Sequence, residues 1–360
     1  MTGVADLESP RRATIIGTGL IGGSLGLALR RAGWIVSGVD PDPDTEAQAL
    51  ERGVIDSSGV DPDSTVTFVA APVRAISEAA QRALAETRGA VTDVGSVKAS
   101  VVAAVADPRF VGGHPMAGSE QLGLEGATPD LFEGAVWVLT PVDDTDSDAF
   151  ATVHAVVKLL GAEMVALDPA RHDALVAVVS HVPHLTAAAL MAIAAKRSDD
   201  HAALLRLAAG GFRDMTRIAA GSPTIWPDIC SENRDAIVEV IEELRTDLAR
   251  ARTMIEDDDR AGLLERLERA QEARRNLPSR VVRPEEVAEV RVTIPDQPGY
   301  LAEVTTLAAQ LGVNIADVEI AHSSEGDTGV LILTVDHLKA DLFHDGLTHR
   351  GYRCSVRQLG

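Results

Sequence analysis

The sequence predicts an α/β doubly wound sheet, followed by an all-helical domain and a small α+β domain. Short β-branched runs alternate with Ala- and Leu-rich stretches over residues 1–168, and strand-like runs are lacking over 169–278. Strands return in the last seventy residues. Alternation of strand and helix is typical of a parallel sheet covered by helices. We therefore expect domains at 1–168, 169–278 and 288–360, with a linker at 279–287.

The bulk composition excludes several classes of protein. A chain of 360 residues is too long for one ordinary core, and its formal net charge of −21 opposes binding to nucleic acid or to an anionic membrane. The two cysteines, Cys230 and Cys354, make neither a disulfide framework nor a metal motif. Since the N-terminus lacks an apolar export segment and no run reaches about 18 unbroken apolar residues, we expect a soluble cytoplasmic protein.

A glycine motif follows the first strand. "GTGLIG" (17–22) comes after "ATII", opens a helix, and precedes a second strand that ends at Asp40. Gly17 permits a tight turn, Gly19 lets a pyrophosphate approach the backbone, and Gly22 allows close packing of helix on strand. This context predicts a Rossmann-type dinucleotide site. The residues assigned to the cofactor are Gly17, Thr18, Gly19, Leu20, Ile21, Gly22, Asp40, Ala71 and Pro72.

Asp40 indicates which dinucleotide binds. Its carboxylate can accept hydrogen bonds from both ribose hydroxyls and would repel a 2′-phosphate, so NAD is favoured over NADP. The same residue begins the turn "DPDPD", and that structural role is compatible with binding.

A histidine stands in the unusual run "GGHPMAGSE" (112–120). Further strands are predicted at 65–70, 90–94, 109–113, 135–140 and 162–167, which makes His114 a loop residue after the strand 109–113. Loops at the carboxyl ends of parallel strands form the ligand crevice. We expect the His114 ring beside the cofactor, held by its stiff glycine and proline neighbours.

The helical region carries an apolar stripe. Residues 169–195 are rich in Ala, Leu and Val, and Ser180 is a candidate N-cap before Pro183. A later helix places apolar residues three, four and seven apart, and these are Ile237, Ile241, Leu244, Leu248 and Ile255. The stripe predicts a dimer interface or, alternatively, an intramolecular bundle.

Clustered histidines and arginines occupy the same region. His172, His181 and His184 lie within thirteen residues and predict a polar pocket; we expect no metal, because carboxylate neighbours are few. Arg213 and Arg217 are four residues apart, and either could bind a carboxylate as a planar fork or pair with a surface acid. From spacing, Arg213 is favoured.

The last seventy residues follow a β-α-β-β-α-β pattern, which begins at "EVRVTIPDQPGYLAEV". A helix over 338–349 and a strand at "YRCSVR" complete it. This order predicts a ferredoxin-like α+β domain.

Five segments together resemble the prephenate dehydrogenase family, whose members include arogenate dehydrogenases. They are "GTGLIGGSLGLAL", "DVGSVK", "GGHPMAGSE", "HDALVAVVSHVPH" and "GGFRDMTRIAAGSPTIWPDI". The resemblance implies a Rossmann-type domain, a dimerising helical domain and a homodimer. It also implies NAD-dependent oxidative decarboxylation of prephenate to 4-hydroxyphenylpyruvate, with arogenate as the alternative substrate.

The resemblance also carries residue roles. His114 matches the catalytic histidine, Ser96 the serine beside it, and Arg217, instead of Arg213, the arginine that binds a substrate carboxylate. Other matches to the substrate pocket are His172, His181, His184, Ser119, Glu120 and Trp226. Gly221 departs from the family, which commonly has a hydroxyl residue there.

The C-terminal domain resembles the ACT module, which binds amino-acid effectors. Asp296, Gly299 and Asn314 occupy the matching positions, and a silent dimerisation domain is the alternative. Two further functions stay open at this point. One is another hydroxyacid dehydrogenase with a lysine base, for which Lys98 would be a candidate although the family makes it a loop residue; the other is an amino-acid sensor.

Overall fold

The computed structural model describes residues 11–118, 121, 123–198, 204–276, 287–295, 297–322 and 328–358. The chain forms two compact units, residues 1–249 and 250–360. Most of the linker predicted at 279–287 lies outside the described residues, so the predicted domain boundaries there stay a prediction.

The first unit is built on an eight-stranded sheet of the described chain, in the order β3-β2-β1-β4-β5-β6-β7-β8. The strands are β1 (Arg12–Ile16), β2 (Ile35–Val39), β3 (Ser57–Ser58), β4 (Val66–Val69), β5 (Ala90–Asp93), β6 (Phe110–Pro115), β7 (Val136–Thr140) and β8 (Glu163–Ala166). All neighbours are parallel except β6 and β7. The predicted doubly wound sheet is confirmed, and its strand order reverses between β1 and β4, where such sheets bind ligands.

Helices connect these strands: α1 (Leu20–Arg31), α2 (Pro43–Glu51), α3 (Val73–Glu86), α4 (Ala99–Val105) and α5 (Ser147–Leu159). Local sequence explains where two of them begin. The Asp42 carboxylate accepts a hydrogen bond from the backbone N–H of Asp44, and Pro43 fits the first helical position of α2. Asp146 caps α5 by accepting from two backbone N–H groups. The sheet core contains the fully buried side chains of Ile15, Phe68, Trp137 and Leu139.

His114 lies within a strand, and the prediction of a loop is wrong. It belongs to β6 and faces Val138 of the antiparallel strand β7. The glycines before it allow the strands to approach, since a Cβ on Gly113 would meet the Asp93 carbonyl oxygen and the Thr92 hydroxyl. The His114 ring is therefore held in place by the pairing of β6 with β7. The sequence had predicted a rigid position from the neighbouring glycines and proline, but in a loop.

The helical part of this unit begins with α6 (Pro169–Val176), a π turn (Ala177–His181) and α7 (Val182–Ser198). Asp168 caps α6 and accepts a hydrogen bond from the Arg171 backbone N–H. Ser180 lies inside the π turn, so its prediction as an N-cap is wrong. Pro183 lacks a backbone N–H and would interrupt a regular α-helix, which explains an altered hydrogen-bond pattern just before it.

Residues Pro169–Arg197 are long and apolar enough to cross a membrane by length and composition, with a mean hydropathy of 1.7. The stretch also carries His172 and Asp173, which are buried against the rest of the unit. Asp173 accepts hydrogen bonds from the backbone N–H groups of Lys98 and Ala99. These polar contacts make the stretch a helix of the folded unit.

The next helices are α8 (Gly210–Thr216), α9 (Trp226–Glu232) and α10 (Arg234–Glu256), with 3₁₀ turns at Leu204–Leu207, Arg217–Ala220 and Pro223–Ile225. The last turns of α10 and the whole of α11 (Arg260–Arg275) belong to the second unit. The predicted apolar stripe lies on α10. Ile237 is buried, whereas Ile241 and Leu248 are 38% and 60% exposed. One end of the stripe thus packs within the chain, and the rest stays on its surface.

The second unit contains a four-stranded antiparallel sheet in the order β10-β11-β9-β12. The sheet and the helices packed on it are β9 (Val287–Pro295), α12 (Tyr300–Gln310), β10 (Ile315–His322), β11 (Thr328–Asp336), α13 (His337–His349) and β12 (Arg353–Gln358). Val292, Leu333, Leu307 and Phe343 form part of the core between sheet and helices. The predicted β-α-β-β-α-β order is present.

Candidate active site

The glycine loop after β1 suits a phosphate group. Gly17 has a φ of +93°, and a Cβ there would meet the Ala70 carbonyl oxygen. A Cβ on Gly22 would meet the Gly17 carbonyl oxygen, whereas a Cβ on Gly19 would meet nothing within 4 Å. Folding therefore requires glycine at positions 17 and 22. At position 19 the chain leaves open space beside the start of α1.

The first turn of α1 is suited to an anion. Gly19 precedes it, and in the described structure no side chain caps this end and no acidic residue lies in its first turn. The first N–H groups of a helix lack partners within the helix and carry a partial positive charge. With the open space at Gly19, these residues fit the pyrophosphate of a dinucleotide.

Asp40 follows β2, and its side chain stabilises the glycine loop through hydrogen bonds to Thr18. One carboxylate oxygen accepts hydrogen bonds from the Thr18 backbone N–H at 2.7 Å and the Thr18 hydroxyl at 3.1 Å. The other accepts from the Asp42 backbone N–H at 3.0 Å. Each oxygen can accept two bonds, so Asp40 builds the turn and keeps capacity for a ribose hydroxyl. Ala71 and Pro72 lie between β4 and α3, at the same edge of the sheet.

His114 is the first of three buried polar side chains in a line. Its Nδ1 lies 2.8 Å from His172 Nε2, and His172 Nδ1 lies 2.8 Å from a carboxylate oxygen of Asp173. That carboxylate also accepts the backbone N–H groups of Lys98 and Ala99, at 2.8 and 2.9 Å. Asp173 thereby caps the start of α4 and fixes α6 against it.

His172 differs from the expected substrate-pocket residue. Its side chain is fully buried, and both of its ring nitrogens have partners within the chain. It therefore offers no nitrogen to a ligand in this arrangement. His172 and Asp173 are consecutive residues of α6, and both are buried. The helix therefore brings the two side chains together next to His114.

A buried ion pair lies next to the β6 backbone at Gly113, the residue before His114. The Lys98 Nζ contacts the Asp93 carboxylate and donates to the Gly113 carbonyl oxygen at 2.9 Å. Asp93 also accepts from the backbone N–H groups of Gly95 and Gly113, at 2.9 and 3.1 Å. The Lys98 side chain is completely buried, and burial lowers its pKa. Lys98 thus holds the backbone of β6 next to His114.

The surroundings keep the His114 ring neutral. Burial lowers the pKa of His114 well below 6.5, and the positive charges that His172, Lys98 and His181 can carry lower it further. A neutral imidazole can accept a proton from a substrate that reaches the ring nitrogen that does not face His172.

A second group of aromatic side chains lies on α7 and α9. The His184 ring stacks on Trp226 with 3.7 Å between ring centroids and an angle of 13° between planes. His181 meets Trp226 edge-on at 6.1 Å, and its Nδ1 lies 3.1 Å from the Asn233 amide nitrogen. Burial lowers the pKa of His181 to about 4. Its Nε2 is buried and has no hydrogen-bond partner among the described residues.

The other predicted residues lie in more open places. Ser96 is half-buried in the loop between β5 and α4, and Arg217 is exposed at the start of a 3₁₀ turn. Arg213 is exposed on α8 and donates to the Ala208 carbonyl oxygen at 3.2 Å. Ser119 and Glu120 lie outside the described residues. Within the part of the chain that the structure describes, no three His, Cys, Asp or Glu side chains are grouped to hold a metal ion.

Comparison with known proteins gives two adjacent family matches. Residues 25–166 match the nucleotide-binding domain of prephenate dehydrogenase, and residues 168–269 match its dimerization domain. A prephenate dehydrogenase of Bacillus subtilis is 35% identical, over 88% of this chain and 90% of the relative. The chain belongs to the prephenate dehydrogenase family. As a member of this family, it is an NAD-dependent oxidoreductase.

Two solved structures extend the likeness. Prephenate dehydrogenase from Aquifex aeolicus, in complex with hydroxyphenyl propionate and NAD⁺, is 32% identical with a TM-score of 0.69. It covers 75% of this chain, and 99% of the Aquifex chain is matched. Arogenate dehydrogenase from Synechocystis is 31% identical with a TM-score of 0.65, over 73% of this chain and 98% of that protein.

Three buried polar residues around the predicted site were not predicted from the sequence: Asp93, Asp173 and Asn233. The buried Lys98 was considered only as the base of a different dehydrogenase. Asp173 adjoins His172, so a His-Asp pair was visible in the sequence. Asp93 pairs with Lys98, five residues further along the chain, and no pattern marks that pair. The other partners of Lys98 and Asn233 named above lie 15 to 75 residues away.

We expect different effects from alanine at two glycines of this family member. Gly22→Ala should lower the free energy of unfolding by roughly 1–3 kcal/mol, because its Cβ meets the backbone of Gly17. Gly19→Ala should unfold like the wild type but bind NAD more weakly, because its Cβ enters open space that a pyrophosphate would fill. Urea unfolding measures the free energy of unfolding of each variant, and fluorescence titration measures its affinity for NAD. Wild-type NAD affinity in Gly19→Ala would contradict the assignment.

Proposed function

We propose that this family member oxidises and decarboxylates prephenate to 4-hydroxyphenylpyruvate, with NAD as the hydride acceptor. One observation carries the assignment of the chemistry. His114 is a buried, neutral imidazole on β6, at the edge of the sheet where the glycine loop also lies. The family match supports the substrate class.

The reaction needs a base that accepts the proton of the substrate hydroxyl. The substrate carries a hydroxyl and a hydrogen on ring carbon C4 and a carboxylate on C1. Bound NAD accepts the hydride from C4. The bond from C1 to its carboxylate breaks, carbon dioxide leaves, and that electron pair makes the ring aromatic. We assign His114 to accept the hydroxyl proton as charge builds on the oxygen and to return it to the phenol product.

The chain's own residues would position the substrate for this step. We assign Ser96, in the loop after β5, to hold the hydroxyl beside His114. The stacked pair of His184 and Trp226 offers a flat wall to the ring, and the unpartnered Nε2 of His181 offers a polar contact. Arg217 is assigned to a carboxylate of the substrate through its planar fork. Ser119 and Glu120 keep their predicted roles as residues at the pocket edge.

Arogenate is the second candidate substrate, since the chain also resembles an arogenate dehydrogenase of known structure. Arogenate carries an amine where prephenate carries a keto group. The polar contact that the family commonly makes from a hydroxyl residue is lacking at Gly221. We favour prephenate because the relatives matched over most of this chain include prephenate dehydrogenases.

We propose a homodimer, and the surface of the helical domain supports it. Ile241 and Leu248 continue the apolar stripe of α10 but are exposed in the single chain. Burying such a stripe against a second copy removes apolar area from water. The match to a dimerization domain supports this assembly.

Residues 288–360, which form the sheet part of the second unit, are proposed as an ACT regulatory module. Its sheet order and its two helices on one face fit that fold. Gly299 has a φ of +105° just before α12, and Asn314 lies just before β10, so both stand at loop ends. Asp296 lies outside the described residues. We propose an amino-acid effector here, and a cytoplasmic location for the whole enzyme.

One assay tests the function. Initial rates should be measured with prephenate and arogenate, with NAD and NADP, and with and without tyrosine, phenylalanine and tryptophan. We expect NAD-dependent turnover of prephenate, and His114→Ala should lower kcat by about 10²- to 10⁴-fold while NAD affinity stays unchanged. Higher kcat/KM on arogenate would overturn the substrate, and wild-type kcat in His114→Ala would remove His114 from the chemistry.

The pH profile should reflect a neutral histidine. Because burial lowers the pKa of His114 well below 6.5, its neutral form is complete above that pH and is lost only as the pH falls through the lowered value. We expect kcat/KM for prephenate to stay level from about pH 8 down to about pH 6 and to fall only in more acidic buffer. An acid limb centred near 6.5 or higher would contradict the buried environment.

The two nearby arginines provide a matched pair of variants. Both side chains are exposed, but only Arg217 matches the carboxylate-binding arginine of the family. We expect Arg217→Ala to raise KM for prephenate by about tenfold with a smaller effect on kcat. Arg213→Ala should leave both constants near the wild-type values. The reverse pattern would transfer the role to Arg213.

A further inference from the structure

The buried line from His114 to Asp173 determines where the ring protons lie. A carboxylate accepts hydrogen bonds and donates none. The Asp173 oxygen that lies 2.8 Å from His172 Nδ1 therefore requires a proton on that nitrogen. In a neutral His172 ring, Nε2 then carries a lone pair.

The proton on His172 determines the tautomer of His114 as well. His172 Nε2 lies 2.8 Å from His114 Nδ1, and an acceptor at that distance requires a donor opposite it. His114 Nδ1 therefore carries the proton. The lone pair of the neutral His114 ring is left on Nε2, which is the nitrogen that has no partner assigned by this line.

We propose that His172 and Asp173 are positioning residues that fix the tautomer of His114, so that its Nε2 is always the acceptor for the substrate hydroxyl. The inference rests on the proposed role of His114. Without this line, the proton could occupy either ring nitrogen of His114. Molecules with the proton on Nε2 could not accept the hydroxyl proton.

The negative charge of Asp173 gives the hydrogen-bonded line from His114 to Asp173 an electrostatic role in addition to its positioning role. When His114 accepts the hydroxyl proton, its ring becomes a cation in a buried place. Lys98, His172 and His181 are the cationic or titratable groups near His114, and the Lys98 charge is already paired with Asp93. The carboxylate of Asp173, one ring away, is the negative charge aligned with His114 through hydrogen bonds. It would stabilise the transient cation until the proton returns to the product.

A purely structural role is the competing explanation. Asp173 caps α4 and helps hold α6 in place, so its loss could lower activity through folding alone. The two explanations differ in what they predict for kcat, for the pH profile and for the proton position. Variants of His172 separate them best, because His172 makes neither of the backbone contacts.

The first experiment uses His172→Phe and His172→Gln in the full chain. Phe keeps the ring shape but removes the acceptor for His114 Nδ1, so we expect kcat to fall by roughly a hundredfold or more while KM and NAD affinity change little. Gln can place its carbonyl oxygen near the old Nε2 position, and we expect it to recover part of the lost kcat. Asp173→Asn should also lower kcat and move the acid limb to lower pH, because the stabilising carboxylate is gone.

Asp168→Ala is the matched control. It removes the N-cap of the same helix, α6, at a cost of about 1 kcal/mol, and Asp168 lies outside the proposed line. We expect it to lower the unfolding midpoint but to keep the wild-type kcat and acid limb. Wild-type kcat and acid limb in folded His172→Phe would overturn the proposal, as would equal losses of kcat in His172→Phe and Asp168→Ala.

A second measurement does not depend on turnover. ¹⁵N NMR of histidine rings in the NAD-bound enzyme should show a protonated Nδ1 and an unprotonated Nε2 for His114, and an altered proton distribution in His172→Phe. A protonated Nε2 in the neutral wild-type ring would overturn the proposal. If the expected tautomer is present but the wild type turns over neither prephenate nor arogenate, the proposed function fails instead.

Discussion

The carboxylate of Asp173 is the contact on which the arrangement of the site depends. It accepts two backbone N–H groups at the start of α4 and orients His172, so one side chain links the helical part of the unit to the edge of the sheet. Hydrogen bonds to a charged group contribute about 1.5–3 kcal/mol each. The Asn233 amide donates to the Asp173 carbonyl oxygen and lies beside His181, which joins the aromatic group to the same anchor. The parts of the site therefore share one buried fixed point.

The sheet supplies the second constraint. Lys98 and Asp93 are both fully buried, and breaking such a pair by removing one partner costs about 3–5 kcal/mol, because the other charge is left without compensation. Their hydrogen bonds to the backbone of Gly113 hold β6 next to β5. The result is a histidine that is held in place, buried and neutral. Those properties suit a general base that accepts a proton and returns it to the product.

The sequence predicted the layout well where the signal is local. The glycine loop, Asp40, the alternation of strands and helices, and the β-α-β-β-α-β order of the second unit all depend on neighbouring residues. It failed where partners are distant. His114 was placed in a loop because its pairing with Val138 of β7 cannot be read from "GGHP". The complete burial of His172 could not be predicted either, because nothing in its sequence neighbours indicates it. Ser180 looked like a cap since Pro183 usually marks a helix start, and a π turn is too rare to expect.

That π turn, Ala177–His181, governs how the two groups of histidines are aligned. A turn of this kind holds one more residue than an α-helical turn, and one residue corresponds to about 100° of rotation around the helix axis. His172 therefore lies before the shift in phase, and His184 lies after it. Shortening the turn by a single residue would swing the stacked face of His184 away from Trp226 while leaving His172 in place. In this family member, the number of residues between the two histidines is thus as much a part of the site as their identities.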